Sequence, residues 1–293
     1  MSVAIIINPI AGGARPESAR RRAQTAVEAV ERHGDRPEVF VTERAGHARE
    51  LAQAAAARGM RLVIAWGGDG TINEVATALV FGEVPMAIVP AGSGNGLAHE
   101  LQVRARPEAA IARALAAEPR VVDVGEIGGR YFVNVAGIGF DAEVAAKFNH
   151  PRNTTRGLRG YAWLTARSFF TYRGREYAIA ADGERVRTRA LMIVIANGTE
   201  FGNRILIARG ARVDDGLLDV VVVEERSLAA TLGRVPWLVT RQIHRAPQWS
   251  TRPARRVTIE CDAPMRFHVD GEPVEGGTRL DARIHPGALR VCV

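Results

Sequence analysis

Gly67-Gly68-Asp69-Gly70-Thr71 puts three glycines, a carboxylate and a hydroxyl between the apolar run Leu62-Val63-Ile64-Ala65-Trp66 and a helix-like run opening Ile72-Asn73-Glu74-Val75. A strand, a glycine turn and a helix start suit a nucleotide polyphosphate. The glycines let the backbone approach phosphate oxygens, and the helix start supplies N–H donors at the positive end of its dipole. Asp69 would repel phosphate unless a divalent cation lies between them, so the loop implies a metal as well as a nucleotide. The plainer alternative is a tight connection whose Asp only caps the helix.

A second loop of this kind is Pro90-Ala91-Gly92-Ser93-Gly94-Asn95-Gly96, between the strand-like Val84–Val89 and the helix-like Leu97–Leu101. A third, Asn8-Pro9-Ile10-Ala11-Gly12-Gly13, follows Val3-Ala4-Ile5-Ile6-Ile7. Glycine loops at the carboxyl ends of parallel strands converge on one crevice of an open sheet. The candidate nucleotide contacts are Asn8, Gly67, Gly68, Asp69, Gly70, Thr71, Gly92, Ser93, Gly94 and Asn95.

What these loops lack narrows the chemistry. A P-loop ends in Gly-Lys-Ser/Thr, but the only lysine, Lys147, adjoins none of them. The Rossmann fingerprint G-x-G-x-x-G has a different spacing from Gly92-Ser93-Gly94-Asn95-Gly96. The protein-kinase motif set is absent.

These elements resemble the diacylglycerol/sphingosine-type lipid kinases, including the soluble bacterial diacylglycerol kinases. Asn8-Pro9 with Gly12-Gly13, Gly67 to Thr71 extended by Ile72-Asn73-Glu74-Val75, Pro90 to Asn95, and Val269-Asp270-Gly271-Glu272 carry the resemblance across nearly the whole chain. The Gly-Gly-Asp-Gly element alone is shared with NAD kinases and phosphofructokinases. The resemblance implies ATP and Mg2+ as cofactors and Asp270 as the base that accepts the acceptor alcohol's proton. Glu272 would orient Asp270 or contact metal. It also implies that Asp123, in Val121-Val122-Asp123-Val124-Gly125, joins Asp69 around the nucleotide's magnesium. In Arg212-Val213-Asp214-Asp215-Gly216-Leu217, it implies a structural metal held by Asp215 and the carbonyls of Arg212 and Leu217. One position departs: Gly96 stands where bacterial diacylglycerol kinases carry an Asp of a water-bridged magnesium network, a spelling closer to the sphingosine-kinase-like branch.

Without the resemblance, Asp270-Gly271 reads as a plain hairpin turn, Asp123 as a polar residue on a half-exposed strand and Asp215-Gly216 as a turn. His268 lies one strand step from Val269, so alternation turns it to the opposite face, as a half-exposed residue with no evident partner.

The chain has 293 residues, 47% of them hydrophobic, enough for a sizeable core and two domains. No apolar stretch approaches a membrane span, and Asn8-Pro9 ends the first apolar run too early for a signal peptide. Cys261 and Cys292 read as core thiols of a reducing cytosol. The net charge of +7 comes from scattered arginines, with no nucleic-acid-binding motif, and is better used at an anionic membrane surface. Residues 158–172 interleave Tyr161, Trp163, Phe169, Phe170 and Tyr172 with Arg159 and Arg167, flanked by Arg152, Arg156, Arg173 and Arg175. Such a helix either sits at lipid headgroups or is an amphipathic core helix with solvated arginines. A second apolar helix, at residues 228–243, should break at Pro236.

Helical patterns at about residues 17–33, 46–58, 72–80 and 107–117 alternate with apolar strands, the signature of a doubly wound parallel sheet. Beyond residue 125 strand-like runs dominate, at 131–136, 177–181, 191–196, 217–223, 256–261 and 265–269, indicating an antiparallel, sandwich-like sheet. The expected fold class is therefore α/β: a nucleotide-binding domain over 1–125, a β-rich lipid-acceptor domain over 126–293, and the site in the cleft. The sequence leads to an ATP- and Mg2+-dependent kinase of a diacylglycerol- or sphingoid-type lipid, cytoplasmic and peripherally bound to membranes, with a homodimer among the allowed assemblies. An NAD-kinase-like soluble-metabolite kinase and a catalytically weak nucleotide-binding regulator are the alternatives.

Overall fold

The computed structural model describes residues 1–13, 18–103, 106–150, 157–201, 205–226, 242 and 246–293. They group into two units, Met1–Val124 with Gly287–Val293, and Gly125–Pro286. The closing residues Gly287–Val293 thus belong with the first unit, not with the β-rich one.

The first unit runs β1 (Ser2–Ile7), α1 (Ser18–Arg32), β2 (Arg36–Val41), α2 (His47–Ala57), β3 (Leu62–Gly67), α3 (Asp69–Leu79), β4 (Met86–Pro90), α4 (Gly96–Glu100) and α5 (Pro107–Ala116). Val3 to Ile7 and Leu62 to Gly67 are buried without alternation, as expected of strands covered on both faces. The sheet order is β2-β1-β3-β4, all parallel, with Ile5 beside both Val39 and Ile64, and Ile64 beside Ala87. The order reverses between β1 and β3, so the loops following these two strands flank a topological switch point, where ligands of open α/β sheets bind. Pro107 opens α5, its fixed φ suiting the first helical position, and Ile111, Ala114 and Leu115 pack against Ile5, Ile64 and Val89 in the core.

The chain enters the second unit along β5 (Arg120–Ile127) and continues through β6 (Arg130–Phe132), β7 (Val135–Gly139), α6 (Phe140–Asn149), α7 (Gly157–Thr171), β8 (Arg175–Ala181), β9 (Glu184–Ala196) and β10 (Leu218–Glu224). It closes with β11 (Trp249–Ala254), β12 (Arg256–Glu260), β13 (Arg266–Val269), β14 (Glu272–Glu275) and β15 (Arg279–Val291). Val291 at the end of β15 lies parallel to Met86 in the first unit's sheet. The second unit's pairings are antiparallel, in the order β14-β13-β7-β9-β8-β12-β15, with β10 also on β9 and β11 on β10. β9 serves two partner sets: residues 184–190 pair with β8, and residues 190–196 pair with β7 and β10. Phe132, Ile138, Ile193, Ile259 and Phe267 fill one side of this sheet.

Two strand expectations need revision. The single strand read over 131–136 is split into β6 and β7, and the break at Val133-Asn134 has a cause described below. β15 extends the strand-like runs past residue 269, its first half alternating exposed and buried residues over 279–284. Cys261 and Cys292 are free thiols, the first half-buried and the second buried. The apolar helix expected at 228–243 lies outside the described residues except Gln242.

Candidate functional site

In the first unit the three glycine loops, in chain order the first at 8–13, the second at 67–71 and the third at 90–96, are fastened to one another. Asn8 Nδ2 donates to Thr71 Oγ1 at 3.0 Å, and Asn8 N to the Trp66 carbonyl at 2.9 Å, joining the first loop to the second. Gly12 has φ 72°, and a Cβ there would overlap the Ala91 carbonyl, so the first loop also lies against the third. A Cβ on Gly92 would come within 2.7 Å of the Gly68 Cα, so backbone meets backbone between the second and third loops. Asn95 closes the third loop from an αL conformation, accepting from Gly92 N at 2.8 Å and donating to the Gly92 carbonyl at 2.7 Å. Ser93 is exposed at its tip.

Asp69 is the first residue of α3, three residues earlier than the expected start. Its carboxylate accepts the N–H of Asn95 at 2.8 Å and of Gly96 at 2.7 Å. Burial pushes its carboxyl above the usual range, opposed by these N–H donors. A Cβ on Gly94 would overlap this carboxylate. Gly96 therefore has a structural duty: its N–H holds Asp69, and the residue itself is buried. No side chain caps the start of α3, which leaves Gly70 and Thr71 in its uncapped first turn. Glu74 points elsewhere, accepting from Gly46 N at 2.7 Å and Ala48 N at 3.0 Å, where it caps α2.

Sequence reasoning missed Arg22. Its guanidinium donates to the carbonyls of Asn8 at 2.8 Å and Ala11 at 3.0 Å, so it braces the first loop and brings a fixed positive charge to it. Burial lowers its proton affinity, and Arg21 lowers it further. An arginine at the helix position facing a glycine loop was the available signal.

Asp123 is buried, and its Oδ1 accepts the Gly287 N–H at 2.7 Å, tying β5 to the chain's return. In the 212–217 loop, Asp215 Oδ1 accepts the Leu217 N–H at 3.0 Å and Arg212 pairs with Asp214 at 3.1 Å, the local bonds of an Asx turn before β10. Burial and then the charge of Asp215 push the Asp219 carboxyl up. Among the described residues no three His, Cys, Asp or Glu side chains gather as a metal site.

The second unit holds a different constellation. Asp270 and Gly271 form the two-residue turn between β13 and β14, with φ 48° and 88°, the left-handed pair of a type I′ hairpin. Asp270 is only 9% exposed, and its carboxylate accepts the N–H groups of Val133, Asn134 and Val135 at 2.9, 3.0 and 2.9 Å. This is why the strand read over 131–136 breaks: its N–H groups turn to a carboxylate instead of a neighbouring strand. Three N–H dipoles aimed at one carboxylate stabilise negative charge there. Glu272 is exposed at the start of β14, opposite Val269.

His268 departs from the half-exposed, unpartnered residue expected from alternation. It is 3% exposed, its Nε2 lies 3.2 Å from Asp141 Oδ2, and its Nδ1 accepts the Gly271 N–H at 3.2 Å. Both faces of β13 are covered, so alternation does not mark an exposed side; α6 packs over the face that carries His268. Asp141, also missed, lies in the first turn of α6 after Gly137-Ile138-Gly139. That run has the same grammar as the first unit's second loop, a strand, then glycine, then an acid at a helix start.

The arginine–aromatic segment divides its side chains. Phe169 and Tyr172 turn in, each edge-on to Phe140 at 5.9 and 5.7 Å. Trp163 and Phe170 are 56% and 54% exposed, and the Arg167 guanidinium lies 5.4 Å over the Trp163 ring. At 100° per residue Trp163, Arg167 and Phe170 share an arc of about 60°. Arg152 and Arg156, and the side chains of Arg159 and Tyr161, lie outside the described residues. Among the described residues no helix is long and apolar enough to cross a membrane.

Comparison with known proteins covers both units. Residues 2–127 match the diacylglycerol kinase catalytic domain, and residues 134–293 the YegS C-terminal NAD kinase beta sandwich-like domain. A Pseudomonas aeruginosa protein described as a probable lipid kinase YegS-like is 31% identical, over 94% of this chain and 90% of that one. A Bacillus subtilis diacylglycerol kinase is 27% identical over 92% of this chain and 88% of its own. Among solved structures, a Bacillus anthracis diacylglycerol kinase has the same fold, with a TM-score of 0.72 at 19% identity over 99% of this chain and 96% of the other.

Proposed function

Because the chain belongs to the family of diacylglycerol kinases and YegS-like lipid kinases, a family of phosphotransferases, we propose that it transfers the γ-phosphoryl group of ATP, with Mg2+, to the hydroxyl of a diacylglycerol or sphingoid-type lipid. The observation that carries this reading is the interlocked set of glycine loops at the switch point of the first unit. Backbone there is too close to backbone for side chains, and the uncapped start of α3 offers N–H donors to an anion. Arg22 adds a braced positive charge beside the first loop. Magnesium that arrives with ATP takes one or two protein carboxylates and otherwise phosphate and water, a demand that Asp69 at the loop junction suits. Asp123 is the second carboxylate of this reading, and the Asp215 loop its structural cation site. When bound, the ion neutralises charge developing on the transferred phosphoryl group.

Asp270 is the proposed base. Three backbone N–H donors fix its carboxylate. Phosphoryl transfer through a loose transition state asks chiefly for orientation of the alcohol and late acceptance of its proton. Membrane contact is part of the same reading: Trp163 and Phe170 would enter the headgroup region, with Arg167 at the anionic phosphates, where each basic residue contributes about 1 kcal/mol.

A second reading, phosphorylation of NAD or a similar soluble metabolite, is favoured by one observation, the NAD kinase-like description of the matched C-terminal domain. Incubation with labelled ATP and Mg2+ over a panel of lipid alcohols in mixed micelles, with NAD in parallel, tests both. A labelled lipid is the expected product; labelled NAD with no labelled lipid would replace the first reading by the second.

A further inference from the structure

His268 joins two elements of the second unit that carry carboxylates. On one side its Nε2 meets Asp141 Oδ2, at the first turn of α6; on the other its Nδ1 receives the N–H of Gly271, half of the turn that presents Asp270. An N–H can be donated only to an unprotonated ring nitrogen. The proton of a neutral imidazole is then on Nε2, pointing at Asp141. Both bonds together are satisfied by a single tautomer.

The surroundings are built for that bridge. His268 and Asp141 are 3% and 5% exposed, so neither polar group has water as a substitute partner. Gly137, opposite His268 in the β13–β7 register, keeps the space open: a Cβ there would overlap the Asp141 carboxylate and come within 2.5 Å of His268 Nε2. The Phe201 ring lies 6.0 Å from the imidazole. Asp141 is itself anchored, its Oδ1 accepting the Ala142 N–H at 2.9 Å.

We propose that His268 is a positioning residue, a neutral Nε2–H imidazole that fixes the Asp270–Gly271 turn against α6 and so sets the direction of the Asp270 carboxylate. The proposal deepens the reading of Asp270 as the base and rests on it. Asp141 orients the ring, and the bond to Gly271 does the positioning.

Two variants separate the two ends of the ring. His268→Asn keeps an oxygen near the place of Nδ1 and loses the reach to Asp141; His268→Gln keeps a donor near the place of Nε2 and loses the acceptor for Gly271. Displacement of a reacting group by about 1 Å costs up to about a hundredfold, so the Gln variant should lose about ten- to a hundredfold in kcat at unchanged KM for ATP, while Asn stays within about threefold of wild type. Equal losses in both variants, or losses that follow their melting temperatures, would overturn the positioning role. A direct readout needs no activity. Long-range 1H–15N correlation spectra of the 15N-histidine-labelled chain, with His268 assigned from the resonance missing in His268→Asn, should show a protonated Nε2 and an unprotonated Nδ1 at neutral pH. An Nδ1–H tautomer or an imidazolium would end the proposal. If the wild-type chain phosphorylates no lipid, the proposed substrate fails separately, and the tautomer still decides the geometry.

Discussion

Asp182 and Asp270 hold the same position in two Asp–Gly hairpins of the second unit, with φ 47° and 48°, and each clamps a neighbouring backbone segment with its carboxylate. Asp182 does so in solvent, accepting from Arg255 and Arg256; Asp270 does so buried, with His268 and Asp141 beside its turn. At both Asp–Gly turns the same device recurs, a hairpin carboxylate held by backbone N–H groups of a neighbouring segment. What separates Asp270 is burial and company.

Asp182 therefore serves as the control. The Arg255 N–H, against some desolvation, and then the Arg256 N–H hold its carboxyl below the usual range, so its stabilising effect is fully present above the ordinary carboxylate pKa and is lost as pH falls from there through the lowered folded-state value. Asp182→Asn should lower the melting temperature at pH 7 and converge with wild type only in acid below that lowered value, with kcat unchanged. Thermal melts across pH read this out; a difference constant with pH would assign the loss to packing.

Asp270→Asn is a harsher change than its shape suggests. One amide end must face backbone N–H groups donor to donor, so stability should fall, by roughly 1–3 kcal/mol for an unmet buried group. Loss of a base typically costs ~10²–10⁴-fold in rate. The expected outcome is such a loss in kcat on fully folded protein, with ATP affinity by calorimetry near wild type because the glycine loops belong to the other unit. A loss mainly in ATP affinity would move Asp270 to the metal.

Asp69→Asn should abolish turnover. It should also alter the pH dependence of stability in the absence of nucleotide. Burial raises the folded-state pKa of Asp69, so the wild type loses stability as pH rises from the ordinary carboxylate range through that raised value. The Asn variant should lack that decline, which paired melts at pH 4 and pH 8 would show. Near-normal turnover in the folded variant would reduce Asp69 to a loop fastener.

Gly92→Ala sets a Cβ against the Gly68 backbone and 3.0 Å from Asn95 Oδ1. Backbone cannot swing aside as a side chain can, so the second and third loops must separate. ATP affinity should fall at least about tenfold, in line with a clash of roughly 1–3 kcal/mol. Unchanged affinity would place the nucleotide away from this junction.

At the membrane, liposome co-sedimentation should rise with anionic lipid and fall with salt. Trp163→Ala with Phe170→Ala should weaken it on neutral and anionic vesicles alike, and Arg167→Ala on anionic vesicles only. Binding indifferent to lipid charge, salt and all three substitutions would leave α7 as a solvated helix.

Much of the first unit was legible because its signals are local. Short β-branched runs such as Ala4-Ile5-Ile6-Ile7 and Val63-Ile64-Ala65, closed by glycine or proline, read as buried strands, and glycine followed by Asp69 and a helix-like run announces a strand-to-helix turn. The resemblance carried by the same motifs led to the kinase family.

Tertiary structure decided which polar atom meets which. Alternation along β13 turned His268 outward, but α6 covers that face and buries the imidazole. The strand read over 131–136 is broken by a carboxylate more than 130 residues away, at Asp270. Asp69, read as a metal ligand, also holds together two loops separated in sequence by a helix and a strand, a bond that no local pattern encodes. Sequence periodicity reports which face of an element is apolar; which hydrogen-bond donor closes on which acceptor depends on chain segments far apart in sequence, and only the folded backbone brings them within 3 Å.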